Sequence, residues 1–200
     1  MWIIGGLVLV LLLGFAAWGP IVSSRVEQPR YLVIEAVPDA GIEIRDYEAM
    51  VVAETAVTGD REPAIGTGFR RIAGYIFGGN QAQQKIAMTA PVIQQADTDA
   101  ADPGDWRVRF VMPAQYAADA LPPPSDPTVA IAKLPPKRYA AIRFSGWIST
   151  DNLARHLATL RSFLASRGIA PLSPPLYAFY NPPSTLPFLR RNEVMIEIAR

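Results

Sequence analysis

Ile65, Phe69, Ile72 and Ile76 recur at i, i+4, i+7 and i+11, and Leu153, Leu157, Leu160 and Leu164 recur at the same intervals. Each set draws an apolar stripe along one face of an α-helix, and such a stripe must be buried against another element. The flanking residues supply that element. Ahead of the first stripe, RYLVIEAVPDAGIEIRDYEAMVVAETAV alternates apolar and polar residues and is broken at Pro38 and Gly41, as strands are. After it, KIAMTAPVIQQ and WRVRFVMPAQY read as two strands joined by an acidic connection from Asp97 to Asp105. The second stripe follows TVAIAKLPPKRYAAIRFSGWIS, strands with a Pro-Pro break, and precedes the strands LYAFYNPP and EVMIEIA. Asp60 with Pro63, and Ser149 to Asn152, provide helix starts; Gly78-Gly79-Asn80 and Gly168 provide the ends. Each half therefore runs β, helix, β, β, a repetition of element order without residue identity. The expected fold is α+β: a distorted antiparallel β-barrel flanked by two helices, with a pseudo-two-fold β-α-β-β duplication.

Composition narrows the function. The 19 Lys and Arg nearly cancel the 18 Asp and Glu, so no basic field gathers phosphates and no nucleic acid partner is expected. The absence of cysteine removes disulfides, thiolate metal sites and a thiol nucleophile. A single histidine, His156, leaves little metal or triad chemistry, and no G-x-S-x-G turn presents a serine. His156 borders the apolar stripe of its helix, as a boundary histidine does. Glu43, Asp46 and Glu48 read as solvated strand residues, and GTGF and FGGN lack the endings of a phosphate loop. The glycines Gly66, Gly68 and Gly74 inside the first helix each cost up to about 1 kcal/mol relative to alanine, which points to close approach by a strand or a ligand.

From Trp2 to Ser24 the chain carries no charge, and its apolar run from Trp2 to Trp18 makes a helix of roughly 26 Å, near the thickness of a bilayer core. We read residues 1–24 as an N-terminal membrane anchor or signal segment, with the lipid bilayer as partner through residues 2–22 and a single domain over residues 31–200. A cleaved segment is the alternative, for which Val22 and Ser24 would serve. Arg25 and Arg30 are too few to fix the side of the membrane. What remains in the domain is rich in Met, Phe, Tyr and Ile and poor in catalytic groups, which suits binding a flat, apolar ligand rather than converting it. Arg70 and Arg71, or Arg190 and Arg191, could meet the carboxylates of such a ligand by forked hydrogen bonds.

Several stretches resemble the SOUL haem-binding family in its order: IEIRDY (42 to 47), VVAET, AIGTGFRRIAGYIFGGN (64 to 80), KIAMTAPV (85 to 92), FVMPAQY (110 to 116), LPPPSDPTV (121 to 129), FSGW (144 to 147), YNPP and RRNEV (190 to 194). The resemblance implies a barrel of duplicated β-α-β-β units, and haem or another tetrapyrrole as ligand without catalysis. In members with an axial histidine, that residue corresponds to Asp46 here. In members without one, the resemblance implies an apolar cleft along the first helix, matched by Ile65, Phe69, Ile72, Ala73 and Ile76. Two basic positions of that helix correspond to Gly66 and Gly74, which leaves Arg70, Arg71, Arg190 and Arg191 to meet haem propionates. The same duplicated fold resembles gyrase-inhibitor-like domains, so a small-molecule or protein interaction module without haem is the second expectation.

Overall fold

In the computed structural model, which describes residues 26–98 and 104–200, nine strands form one antiparallel sheet. They are β1 (Tyr31–Val37), β2 (Ile42–Tyr47), β3 (Met50–Thr58), β4 (Val92–Ala96), β5 (Asp105–Val111), β6 (Ala130–Leu134), β7 (Lys137–Phe144), β8 (Leu176–Phe179) and β9 (Asn192–Ile198). Helix α1 (Arg61–Ile76) lies between β3 and β4, and α2 (Thr150–Ser166) between β7 and β8. The strand order is β1-β2-β7-β9-β8-β4-β5-β3-β6. Read outward from the β8–β4 pair, β8-β9-β7 and β4-β5-β3 are the same arrangement, so the duplicated units are β3-α1-β4-β5 and β7-α2-β8-β9. The strand that leads into each unit is exchanged: β2 precedes β3 but pairs with β7, and β6 precedes β7 but pairs with β3.

That exchange forces the sheet to curl. β2 and β3 stand second and eighth in the order, about 29 Å apart in a flat sheet with 4.8 Å spacing. Only Glu48 and Ala49 join them, a reach of at most about 11 Å over three Cα steps. β6 and β7, ninth and third, are joined by Pro135 and Pro136 alone. The outcome is a half-barrel rather than the expected barrel: β1 and β6 are its two edges, and no pairing between them closes it among the described residues.

Both helices cover the outer, convex face. α2 buries Leu153, Leu160 and Leu164 against Ile42, Ile142, Val194 and Ile196. α1 buries Ile72, Tyr75 and Ile76 against Ala53, Val108 and Phe110. The stripe of α1 is turned from the one expected. Its buried face runs through Ala64, Gly68, Ile72, Tyr75 and Ile76, while Phe69 is 38% exposed. Small residues at 64 and 68 let the helix backbone approach β5: a Cβ on Gly68 would lie 2.5 Å from the Val108 side chain. The larger Ile65 and Phe69 are thereby left on the flank. KIAMTAPV is also not a strand throughout. Lys85 and Thr89 form isolated bridges to Phe77 and Glu27, the Ala90–Pro91 bond is cis, and the regular strand begins at Val92. Pro91 lacks the N–H that a ladder needs, and the Thr89 hydroxyl donates to Val111 O.

Residues 26–30, ahead of the domain start read at 31, pack across the mouth of the half-barrel with Val26 against its inner residues. The proposed span over residues 2–22 lies outside the described residues. Among the described residues, no helix is long and apolar enough to cross a membrane.

The glycines of α1 now divide. Gly68→Ala forces a methyl onto Val108 and should lower stability by about 1–3 kcal/mol. Gly74, with nothing within 4 Å of an added Cβ, should gain up to about 1 kcal/mol as alanine. Urea unfolding midpoints that move in opposite directions for the two variants check this.

Candidate functional site

The concave face of the half-barrel is the first place a ligand would be sought, and side chains fill it. Tyr47, Val52, Ile93, Leu176, Tyr180 and Met195 pack there, and about 40 Å³ remains between them. Sites for drug-sized ligands take on the order of 300–1,000 Å³. Beside this apolar patch sits a buried ion cluster. Glu193 is wholly buried and accepts from Arg45 Nη1 at 2.8 Å and Nη2 at 3.1 Å, from Arg191 Nε at 2.9 Å and from the Tyr180 hydroxyl at 2.9 Å. Arg45 also donates to Glu43 and to the Tyr47 hydroxyl, and its guanidinium lies over the Tyr31 ring. Burial acts to raise the Glu193 pKa, but the hydrogen bonds and charges of Arg45 and Arg191 outweigh it and hold the carboxyl below its usual value. The Tyr47 phenol is pushed up to about 12, by burial first and by the Glu193 charge second.

The second surface is the outer flank of α1. Phe69 and Phe77, 38% and 58% exposed, stand at either end of a strip that includes Ala73. Gly66 and Gly74 border it and keep it flat: only the Arg70 guanidinium lies near a Cβ placed at 66. Phe69 is braced from beneath by Phe110, ring centroids 5.3 Å apart. Arg70 is exposed beside it and donates to Thr67 Oγ1 at 3.1 Å; Arg71 lies on the opposite flank of the helix, where it donates to Thr55 Oγ1 at 3.3 Å and Ala56 O at 3.0 Å of β3. Among the described residues both guanidiniums meet neutral acceptors rather than a carboxylate, though the Arg71 charge helps lower the Asp126 pKa, after two Thr128 hydrogen bonds.

Of the nine candidate residues, seven thus lie on α1. Ile65, Phe69, Arg70, Arg71 and Ala73 reach its surface to differing extents, while Ile72 and Ile76, 0% and 1% exposed, face the sheet. Arg190 and Arg191 are not brought to this helix. They precede β9 in the other half: Arg191 is held by Glu193 and lies 3.8 Å above the Tyr180 ring, and Arg190 donates to Thr185 O and Pro183 O. Asp46, at the axial position of the resemblance, is gripped by both Arg138 Nε at 2.7 Å and Nη2 at 2.8 Å, and these hydrogen bonds lower its pKa. His156 lies half-buried on α2, stacked flat on Phe144 at 4.0 Å, with Nδ1 donating to Asn152 O at 2.7 Å. Phe77 was missed by sequence reasoning because it follows the last turn; its i+4 spacing from Ala73 was the available signal.

A third feature is an open cleft of about 360 Å³ at the mouth of the half-barrel. Glu27, Arg30, Glu48 and Lys133 line it together with Met50 and Met112.

The family model described as SOUL heme-binding protein matches residues 26–197. The Homo sapiens protein named Heme-binding protein 2 is 32% identical over 185 residues, which cover 87% of this chain and 87% of that protein. The Xenopus tropicalis protein named Heme-binding protein 1 is 30% identical over 156 residues, covering 76% and 80%. The crystal structure of the EcmrR C-terminal domain superposes with a TM-score of 0.63 over 80% of this chain and 97% of that one, at 9% identity. That of a hydrolase from Listeria innocua gives 0.56 over 80% and 92%, at 10% identity. The two structures share the fold.

The Glu193 cluster carries its own pH signature. A folded-state pKa below the ordinary 4.5 means that its stabilisation is present above that value and is lost as pH falls through the folded pKa. Glu193→Gln should cost about 3–5 kcal/mol, since it removes the buried carboxylate that Arg45 and Arg191 share, leaving Arg191 without a charged partner among the described residues and Arg45 with Glu43 alone. Unfolding curves measured from pH 7 down to pH ~3 should fall less steeply for this variant than for the parent.

Proposed function

Because this chain belongs to the SOUL haem-binding protein family, we propose that it binds haem or a related tetrapyrrole on the outer flank of α1, and does so as a membrane-anchored protein. The observation that carries the placement is the strip of Phe69, Ala73 and Phe77 with Arg70 beside it, whose guanidinium meets only a hydroxyl among the described residues, while Arg71 lies on the opposite flank of the helix against β3. Haem presents the complementary chemistry: a flat apolar ring and two propionates. Phe69, Ala73 and Phe77 would hold the ring, and the small Gly66 and Gly74 would leave it room close to the helix. Arg70, held only by the Thr67 hydroxyl, would meet a propionate in a stronger, charge-assisted pairing, whereas Arg71 faces β3. Bound haem supplies a redox-active iron and a visible chromophore. Ile72 and Ile76 support the surface from beneath, and Arg190 and Arg191 serve the opposite half. SOUL proteins are binding proteins, and the residues named here hold a ligand without a nucleophile and base to transform it. The uncharged segment before residue 25 holds the domain at a bilayer through residues 2–22.

A second reading, an interaction module for a small molecule or a protein, is favoured by the cleft of about 360 Å³, whose mixed charges and methionines suit an amphipathic ligand better than a macrocycle. Material purified from its own membrane separates the two. Colour or a porphyrin mass supports the first, and colourless protein with a reproducible partner supports the second.

Titrating the folded protein with hemin should give a saturable Soret change. Replacing Arg70 by alanine should weaken binding tenfold or more, since a hydrogen bond to a charged group contributes about 1.5–3 kcal/mol, whereas Arg71→Ala, on the opposite flank, should change it little. His156→Ala should leave the titration unchanged. A folded protein with no saturable Soret change overturns the proposal.

A further inference from the structure

The loop between β8 and β9 carries an apolar tip that neither reading of the ligand uses. Phe188 is 69% exposed, Leu186 44% and Leu189 38%, and Trp147, from the loop after β7, is 65% exposed. Large apolar side chains clustered in solvent mark a contact surface rather than chance exposure. This tip is also built to hold its shape. Gly146 N donates to Pro187 O at 2.8 Å, Leu189 N to Leu186 O at 2.9 Å and Arg190 N to Pro187 O at 3.1 Å. Arg190 fastens the base of the loop through Pro183 O and Thr185 O, and its guanidinium lies 4.9 Å from the Trp147 ring centroid. A tryptophan among apolar side chains, with a basic residue at its edge, is the composition that settles at a membrane–water interface.

The path of the chain says what covers the tip. The described body starts at Val26, and Glu27 bridges Thr89, the neighbour of Met88, which is itself 41% exposed. One residue later, Gln28 Oε1 accepts from Arg191, next in sequence to Arg190. The described chain therefore begins, at Val26, on the side where Met88 and the 186–190 loop project.

Resting on the reading of residues 2–22 as a membrane anchor, we infer that the tip formed by Trp147, Leu186, Phe188 and Leu189 docks into the interfacial layer of the phospholipid bilayer that holds the anchor. The domain then has a fixed attitude to the membrane instead of swinging on a tether. Leu172 gives a control: it is 59% exposed but pairs with Glu197, at the other end of β9 from Asn192.

The chain has no cysteine, so Phe188→Cys, Leu186→Cys and Leu172→Cys can each be labelled with one polarity-sensitive fluorophore in the full-length protein. The labelled proteins are reconstituted into phosphatidylcholine–phosphatidylglycerol vesicles and tested with spin-labelled lipids. We expect a blue shift, a several-fold rise in emission and strong quenching by the lipid spin label at 188 and 186, and none of these at 172. Labels at 188 and 186 that stay as wet as the one at 172, in protein that floats with the vesicles after an alkaline wash, overturn the docking while leaving the anchor intact. Protein that does not float overturns the anchor and the docking together. A blue shift that grows with protein density and resists lipid quenching assigns the tip to a second copy of the chain, and also overturns the proposal.

Discussion

Two connections of two residues each, Glu48-Ala49 and Pro135-Pro136, hold a nine-stranded sheet in its curl. A strand exchanged between the halves can be reached by so short a link only when the sheet's two ends are brought toward each other. The inner face becomes narrow enough for side chains alone to fill it, and the helices have only the convex side to cover. Where a ligand can sit follows from the same constraint. The concave face is occupied, and the surfaces left are the flank of a helix, the mouth of the half-barrel and the loops at the strand ends.

The curl also explains why a carboxylate with no solvent exposure is tolerated. β2 and β9 flank β7, and the narrowed inner face points Arg45 of β2 and Glu193 of β9 at each other, while Arg191 closes from the preceding loop. An isolated buried charge is prohibitively costly, whereas one met by two guanidinium forks and a phenol is satisfied at each oxygen. Such a cluster adds little net stability over an apolar core of the same volume. It does penalise every other register, because a slip of β9 by one residue would turn Glu193 toward α2, leaving Arg45 with Glu43 alone and Arg191 without a carboxylate.

Much of this was legible in the order of residues. Period and alternation placed both helices and most of the strands, and the repeated β, helix, β, β order is the real internal symmetry. The exchange of β2 and β6 was not legible, because pairing is set by distant partners and both strands read the same whichever neighbour they choose. The face of α1 was misjudged by one position, since large residues dominate a helical wheel while the contact is made by the small Ala64 and Gly68. Arg191 shows a signal overlooked: it precedes Glu193 by two residues, the spacing that puts both side chains on one face of a strand. For Arg190 no local pattern foretold backbone carbonyls as partners, since these come from a loop whose path depends on its prolines.

The exchanged strands have a consequence for how the chain can be made and cut. Asp46 and Arg138, partners across β2 and β7, are 92 positions apart, so β2 is synthesised long before anything exists for it to pair with. Contacts of this span are late and slow in folding, and the growing chain must shield an open sheet edge meanwhile. Although the two units look like copies, neither is a module. A chain cut at the midpoint leaves β2 without β7 and β3 without β6, so the duplication can be seen in the structure but not separated in the test tube.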